Sequence, residues 1–193
     1  MSLENRGYSM LLVSSDKAFV TALTPLLPES MRNNIKTASD IIAAKRLQTQ
    51  IDFDFIIINF PYSEDAIQFA VDAGDLKNSV VLYMARSEFY EDMNSRLSAF
   101  GVFTIAVPTN RYTMTSALNW MISAREKLRK LETRTMTVQR KMEEIRIVNR
   151  AKWLLISKLN YSEPQAHRYI EKEAMDQCVS RRQIAEDIIK NYS

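Results

Sequence analysis

Basic side chains in the second part of the chain are the groups with the clearest potential for chemistry, and that chemistry is polyanion binding. The chain has 193 residues, and up to position 110 it carries 9 Lys or Arg against 13 Asp or Glu. Residues 111–193 carry 17 against 10, so a net charge of −4 is followed by one of +7. This asymmetry indicates a division of labour, with the basic part facing nucleic acid or another polyanion. The alternative is a solvated helical surface, on which Lys, Arg and Glu are common.

The composition excludes several enzyme and cofactor classes. There is one histidine, His167, one cysteine, Cys178, and three glycines. We therefore expect no disulfide framework, no zinc site and no glycine-rich nucleotide loop. No paired carboxylates or nucleophile–base set can be located, so we predict a protein that is not an enzyme and uses no metal or cofactor. Without a membrane span of about 18 apolar residues or a signal peptide, a cytoplasmic location is expected.

The first 110 residues alternate short apolar runs with amphipathic stretches. Strands are predicted at 8–13, 34–38, 54–59, 80–84 and 102–107, and helices lie between them. Continuous apolar strands that alternate with helices are typical of a parallel sheet covered on both faces. The predicted fold is α/β, a doubly wound five-stranded parallel sheet, followed by a long coiled-coil helix and a C-terminal three-helix bundle.

The long helix is predicted from Tyr112 to about Leu159, a segment without proline or glycine. It shows a heptad pattern over nearly four repeats, which favours a parallel homodimer, with polar Thr135 and Asn149 at two a positions. The alternatives are an antiparallel hairpin and a helix packed on its own domain. The predicted domains are 1–112, 113–145 for dimerisation and 146–193. The predicted dimer seam consists of Met121, Ala124, Leu128, Leu131, Val138, Met142 and Ile145.

Two short helices after residue 160 begin with the same sequence signal. Ser162 and Gln165 form one S-x-x-Q capping box, and Ser180 and Gln183 form a second. With the end of the long helix they are expected to bundle around the apolar residues Ile147, Ala151, Leu154, Leu155, Ala166, Ile170, Ala174, Ile184, Ala185 and Ile188.

The first domain resembles a response-regulator receiver domain in its strand series and strand-end motifs. That family binds magnesium at an acidic pair and accepts a phosphoryl group on an aspartate. Here the corresponding positions hold Ser14 and Ser15 for the acidic pair, Asn59 for the aspartate, Met84 for a Thr or Ser, and Val107 for a lysine. The resemblance therefore implies a degenerate phospho-acceptor site, a pseudo-receiver without an aspartyl-phosphate switch. Asp16, which survives, is interpreted as a helix N-cap.

The C-terminal segment resembles an ANTAR domain, the RNA-binding output module of transcription antitermination regulators. The resemblance covers about 145–190 and depends on the segments 146–155, 161–166, 174–176 and 184–189. It departs from the family at Trp153, where a small residue is usual, and at Arg181, where the family tends to be apolar. The family's marker alanines are Ala151, Ala166, Ala174 and Ala185.

The order of the three parts resembles the amide-operon type of antiterminator. This resemblance implies a homodimer that binds paired hairpin loops of a structured leader RNA and so prevents terminator formation. A regulatory ligand-sensing protein is a further partner that we expect. RNA is read mostly in unpaired loops, by aromatic and Arg side chains, while Lys and Arg hold the phosphates. The candidate RNA-binding residues are Arg146, Arg150, Lys152, Tyr161, Arg168, Lys172, Arg181 and Arg182.

Plainer interpretations accompany these candidates. Arg146 can serve as a coiled-coil e position, Lys172 as part of a solvated face and Tyr161 as a staple for the following helix. Trp120 and Trp153 are interpreted as core residues rather than base-stacking platforms. Two other functions are also kept open: a DNA-binding transcription factor, and a protein-interaction adaptor with a non-phosphorylatable receiver domain.

Overall fold

The computed structural model describes residues 7–76 and 78–192, which form two compact units that divide between Lys130 and Leu131. Residues 1–6, on which the prediction of no signal peptide partly depends, lie outside the described residues. No helix in the described part of the chain has the length and hydropathy needed to cross a membrane.

The first unit is built on a five-stranded parallel sheet, as predicted. Its strands are β1 Met10–Ser14, β2 Ile35–Ala38, β3 Phe55–Asn59, β4 Val80–Arg86 and β5 Phe103–Val107. They run in the order β2-β1-β3-β4-β5, and every neighbouring pair is parallel. The predicted strands at 8–13, 34–38, 54–59 and 102–107 each begin one or two residues later in the structure, and β4 extends two residues beyond the predicted 80–84.

Helices cover both faces of the sheet because each central strand is apolar on both sides. The helix bounds are α1 Lys17–Leu23, α2 Glu29–Arg32, α3 Ile41–Gln50, α4 Glu64–Gly74, α5 Tyr90–Ser98 and α6 Arg111–Leu159. Leu11 and Val13 of β1 pack with helices α3, α4 and α5 on one face. Met10 and Leu12 pack on the other face with α1, α2 and the start of α6.

The helical spacing of residues 16–27 predicts one helix there between the first two strands, but the α-helix is shorter in the structure. Asp16 caps α1 as predicted, since its carboxylate accepts the amide hydrogen of Ala18 at 2.8 Å. The α-helix ends at Leu23, and a 3₁₀ turn with a proline in its first positions follows over Thr24–Leu26. Proline lacks the amide hydrogen that a continuing α-helix needs. The short helix α2 was not predicted.

Helix α6 is a single helix of 49 residues that contains both predicted domain boundaries, at 113 and 146. Its first turns belong to the core of the first unit: Met121 is fully buried there, and Ala124 and Leu128 pack against the same cluster. These three predicted seam residues are therefore covered by the chain itself. The other four, Leu131, Val138, Met142 and Ile145, are 47–61% exposed.

The second unit contains the end of α6 together with α7, Glu163–Asp176, and α8, Arg181–Tyr192. All ten residues predicted to hold this bundle together are in its cluster, eight of them buried and Ile147 and Leu154 partly buried. Ser162 and Gln165 form the predicted capping box, with the Ser162 amide donating to Gln165 Oε1 at 2.8 Å. Ser180 and Gln183 exchange the same two hydrogen bonds at the start of α8, at 3.1 and 3.3 Å.

Candidate functional site

An exposed stripe on the second half of α6 carries two of the predicted RNA-binding arginines. Arg146 and Arg150 are four residues apart, and Trp153 is three residues further, so that all three lie on one face of the helix. Each is exposed, while Ala151 and Leu155 are buried in the bundle. Arg146 makes only a loose ion pair with Glu143 at 3.8 Å.

A second cationic pair lies on α7. Arg168 and Lys172 are exposed and one helical turn apart, whereas Ala166 and Ile170 on the same helix are buried. Among the described residues, no carboxylate lies within ion-pair distance of Arg150, Arg168 or Lys172. These three cations are therefore available to an external anion.

Lys152 is committed to a contact within the second unit. Its Nζ lies 2.9 Å from Glu163 Oε1, which links α6 to the first turn of α7, and only 17% of its side chain is exposed. Its hydrogen bond and charge lower the pKa of Glu163. We infer that Lys152 positions α7 rather than binding a phosphate freely.

The two arginines that begin α8 also have acidic partners. Arg181 bridges the other two helices, with Glu144 of α6 at 3.3 Å and Glu171 of α7 at 3.9 Å. Arg182 pairs with Glu186 at 2.7 Å, and that hydrogen bond raises the pKa of Arg182. Arg181 is thus a polar residue that joins helices, a role that explains a charge where an apolar residue was expected.

The aromatic residues of the second unit differ in exposure. Tyr161 is half-buried and meets the ring of Tyr169 edge-to-face, with centroids 5.8 Å apart. It therefore packs at the start of α7, against the ring of a residue of that helix. Trp153, in contrast, is 71% exposed, and Trp120 of the first unit is also exposed. The interpretation of these two tryptophans as core residues was wrong, because both lie on helix faces turned away from their clusters.

The basic charge is shared between the two units. Residues 131–193 contain 12 Lys or Arg and 9 Asp or Glu, a net charge of +3, and the remaining +4 of the basic part lies in 111–130. Part of that charge is structural. Arg125 is 6% exposed and binds Asp54 through Nε at 2.8 Å, and Arg129 lies 3.5 Å from the same carboxylate. Sequence reasoning missed this cluster because 71 residues separate Asp54 from Arg125.

The predicted receiver positions meet at the carboxyl edge of the sheet. Asn59 Nδ2 donates to Ser14 Oγ at 3.3 Å, and Asn59, Met84 and Val107 all line one cavity. Ser15 is exposed and is not part of that lining. The structure therefore brings together four of the five positions.

The donor set at this edge does not fit a magnesium ion. Mg²⁺ prefers charged oxygen ligands in near-octahedral geometry. Asp16 is the single carboxylate here, and its Oδ1 already accepts the Ala18 amide hydrogen. Across the described ranges, no three acidic, His or Cys side chains cluster as metal ligands.

Comparison with solved structures identifies the fold of the first unit. The signal receiver domain of an HD domain-containing protein from Pseudomonas fluorescens Pf-5 aligns with a TM-score of 0.55 and 16% identity, over 67% of this chain and 97% of that chain. The adenylate cyclase structure from Rhodopirellula baltica aligns with a TM-score of 0.54 and 21% identity, over 70% and 98%. At these identities the likeness shows the fold alone.

Comparison with protein sequences identifies the second unit and a distant full-length relative. The transcriptional regulatory protein PdtaR of Mycobacterium tuberculosis is 24% identical over 184 residues, which cover 93% of this chain and 89% of that protein. Residues 137–189 match the family model of the ANTAR domain. The chain thus joins a receiver-like fold to a C-terminal segment that matches the ANTAR family model.

Proposed function

We propose that this protein is a transcription antiterminator whose ANTAR domain binds hairpin loops of a leader RNA. The observation that carries the proposal is the set of unpaired cations Arg150, Arg168 and Lys172 on that domain, with Trp153 exposed beside Arg150. The match to the ANTAR family and the relation to a transcriptional regulatory protein support it.

The side chains suit a hairpin loop better than a regular duplex. Arginine and lysine neutralise phosphates, and an exposed indole stacks on a base that has left the helix. The deep, narrow major groove of double-stranded RNA does not admit such side chains, whereas the splayed bases of a loop are accessible. Holding the loops would stabilise the hairpins and prevent an overlapping terminator.

We further propose that the receiver-like domain is not switched by phosphorylation. An amide at Asn59 cannot accept a phosphoryl group as a carboxylate does, and its Nδ2 is engaged with Ser14. Met84 and Val107 supply neither a hydroxyl nor a charge to a phosphoryl group. Acetyl phosphate is expected to leave Asn59 unlabelled, as measured by intact mass, and labelling there would contradict the proposal.

The test of RNA binding is a salt titration with a two-hairpin hexaloop RNA and a duplex DNA competitor of equal length. Tight RNA binding with a steep salt slope and weak DNA competition is the expected result, because phosphate contacts release counterions. The slope in question is that of the logarithm of the RNA-binding constant against the logarithm of the salt concentration. The variant Arg150→Gln/Arg168→Gln/Lys172→Gln is expected to reduce the steepness of this slope by about 2.

Two controls make this test specific. Lys36→Gln/Lys45→Gln/Arg46→Gln removes the same charge from exposed positions of the receiver-like domain and is expected to leave the slope unchanged. Trp153→Ala is expected to weaken RNA binding by roughly tenfold, and Trp153→Phe to restore most of it, because stacking needs an aromatic face. An equal loss of RNA binding in both triple variants, or displacement of the RNA by duplex DNA, would reject the proposal.

A further inference from the structure

An apolar cavity of about 420 Å³ opens at the carboxyl edge of the sheet in the receiver-like domain. This is within the usual size range of small-molecule pockets. The side chains that line it are mostly hydrocarbon or thioether. Such a lining does not suit the binding of a phosphoryl group, which response-regulator receiver domains carry at this edge of the sheet. The apolar lining residues are Phe19, Ala22, Leu23, Leu26, Met84, Val107, Pro108 and Met114.

The position of the cavity is one that binds ligands in doubly wound folds. In the sheet β2 lies on one side of β1 and β3 lies on the other, so the order of the strands reverses at β1. Asp16 follows β1 in the chain, and Asn59 ends β3. Crevices outside the carboxyl ends of the strands at such a switch point are the general ligand sites of open α/β sheets. Topology and lining therefore indicate a small-molecule site independently.

The charged residues at the rim of the cavity indicate which polar group a ligand would carry. Arg111 is the single cation of the lining, is exposed, and has no acidic partner in the part of the chain that the structure describes. It also begins α6, where the Thr113 amide donates to Asn110 Oδ1 at 2.9 Å and the other first-turn amides favour an anion. Asp16 is the single anion of the lining and is engaged as the cap of α1.

We propose that this cavity binds a small apolar monocarboxylate, with its carboxylate on Arg111 and its hydrocarbon body against Met84 and Met114. A second negative charge is disfavoured because Asp16 shares the lining. Met114 belongs to both the cavity wall and the cluster that holds the first turns of α6 on the sheet. A ligand there therefore contacts a residue that also packs α6 on the sheet.

The test uses 3-phenylpropionate as probe and the full-length protein labelled with ¹³C at methionine methyl groups. Met84 and Met114 are expected to shift in a saturable manner, while Met93, which is buried on the opposite face of the sheet, is expected not to respond. The uncharged 3-phenylpropanol and the dicarboxylate phenylsuccinate are expected to bind at least about tenfold more weakly, since a charge-assisted hydrogen bond is lost or a repulsion added.

Matched variants separate recognition from a nonspecific effect. Arg111→Gln is expected to weaken 3-phenylpropionate about tenfold and to leave 3-phenylpropanol unchanged. Arg46→Gln, an exposed charge change on α3, is expected to alter neither. The proposal is overturned if Met84 and Met114 do not shift at about ten times the millimolar Kd expected of so small a ligand, or if Arg111→Gln has no effect. The readout involves no RNA, so it is independent of the antiterminator test.

Discussion

At the scale of single residues, the carboxylate of Asp54 is the polar centre of the first unit. It accepts hydrogen bonds from the amide and hydroxyl of Ser9, at 3.0 and 3.2 Å, and from Arg125 at 2.8 Å. Its side chain and that of Arg125 are 14% and 7% exposed, so solvent can replace little of this pairing. A buried arginine that loses its carboxylate retains the cost of desolvation.

Asp54→Ala is therefore expected to destabilise the first unit by about 3 to 5 kcal/mol. The measurement is denaturant unfolding in a Trp153→Phe background, in which Trp120 is the remaining one of the two tryptophans and reports on the first unit. Asp52→Ala is the control, because Asp52 is exposed and contributes only its backbone carbonyl to Ser9. Equal losses in the two variants would show that the ion cluster adds nothing.

The residue scale is also where prediction from sequence reached its limit. Asn59, Met84 and Val107 could be placed together, because each lies at or near the end of a recognisable strand and parallel strands end at one edge. The pairing of Lys152 with Glu163 and the bridging by Arg181 could not be predicted, because they depend on how three helices pack. Helical periodicity predicts which face is apolar, but it does not say which charges meet across an interface.

At the scale of elements, local signals predicted the second unit well. Capping boxes mark helix starts through contacts only three residues apart, so they can be read from sequence with little ambiguity. The Ser162 hydroxyl oxygen accepts a hydrogen bond from the backbone amide of Gln165. The same first turn of α7 carries Glu163, which pairs with Lys152 of α6. The start of α7 is therefore fixed by one local and one tertiary contact.

Ser162→Ala is expected to destabilise the second unit by about 1 kcal/mol, since it removes the side-chain acceptor of the cap. Unfolding would be followed by Trp153 in a Trp120→Phe background, where it is the sole reporter and lies in that unit. Ser157→Ala deletes a hydroxyl within α6 that bonds only the Leu154 carbonyl, and it is expected to have little effect. A loss no larger for Ser162→Ala than for Ser157→Ala would contradict a stabilising cap.

At the scale of the whole molecule, the exposed part of the heptad seam predicts self-association through α6. Met121 is buried in the core of the first unit, whereas Val138 and Met142 expose apolar surface along one stripe of α6. Pairing two copies along this stripe would bury that surface, at about 25 cal/mol for each Å² removed from water.

Val138→Glu/Met142→Glu is expected to raise the dimer dissociation constant at least about 100-fold, because it replaces apolar contacts by facing carboxylates in each of two helices. Sedimentation equilibrium over a range of protein concentrations measures this change directly. Met136→Glu/Thr137→Glu is the matched control: it adds the same charge at heptad positions b and c, off the predicted seam, and Met136 is as exposed as Val138. A dimer that survives the first variant, or that both variants dissociate equally, would place the association elsewhere, whereas selective dissociation by the first would assign the dimer to this stripe of α6.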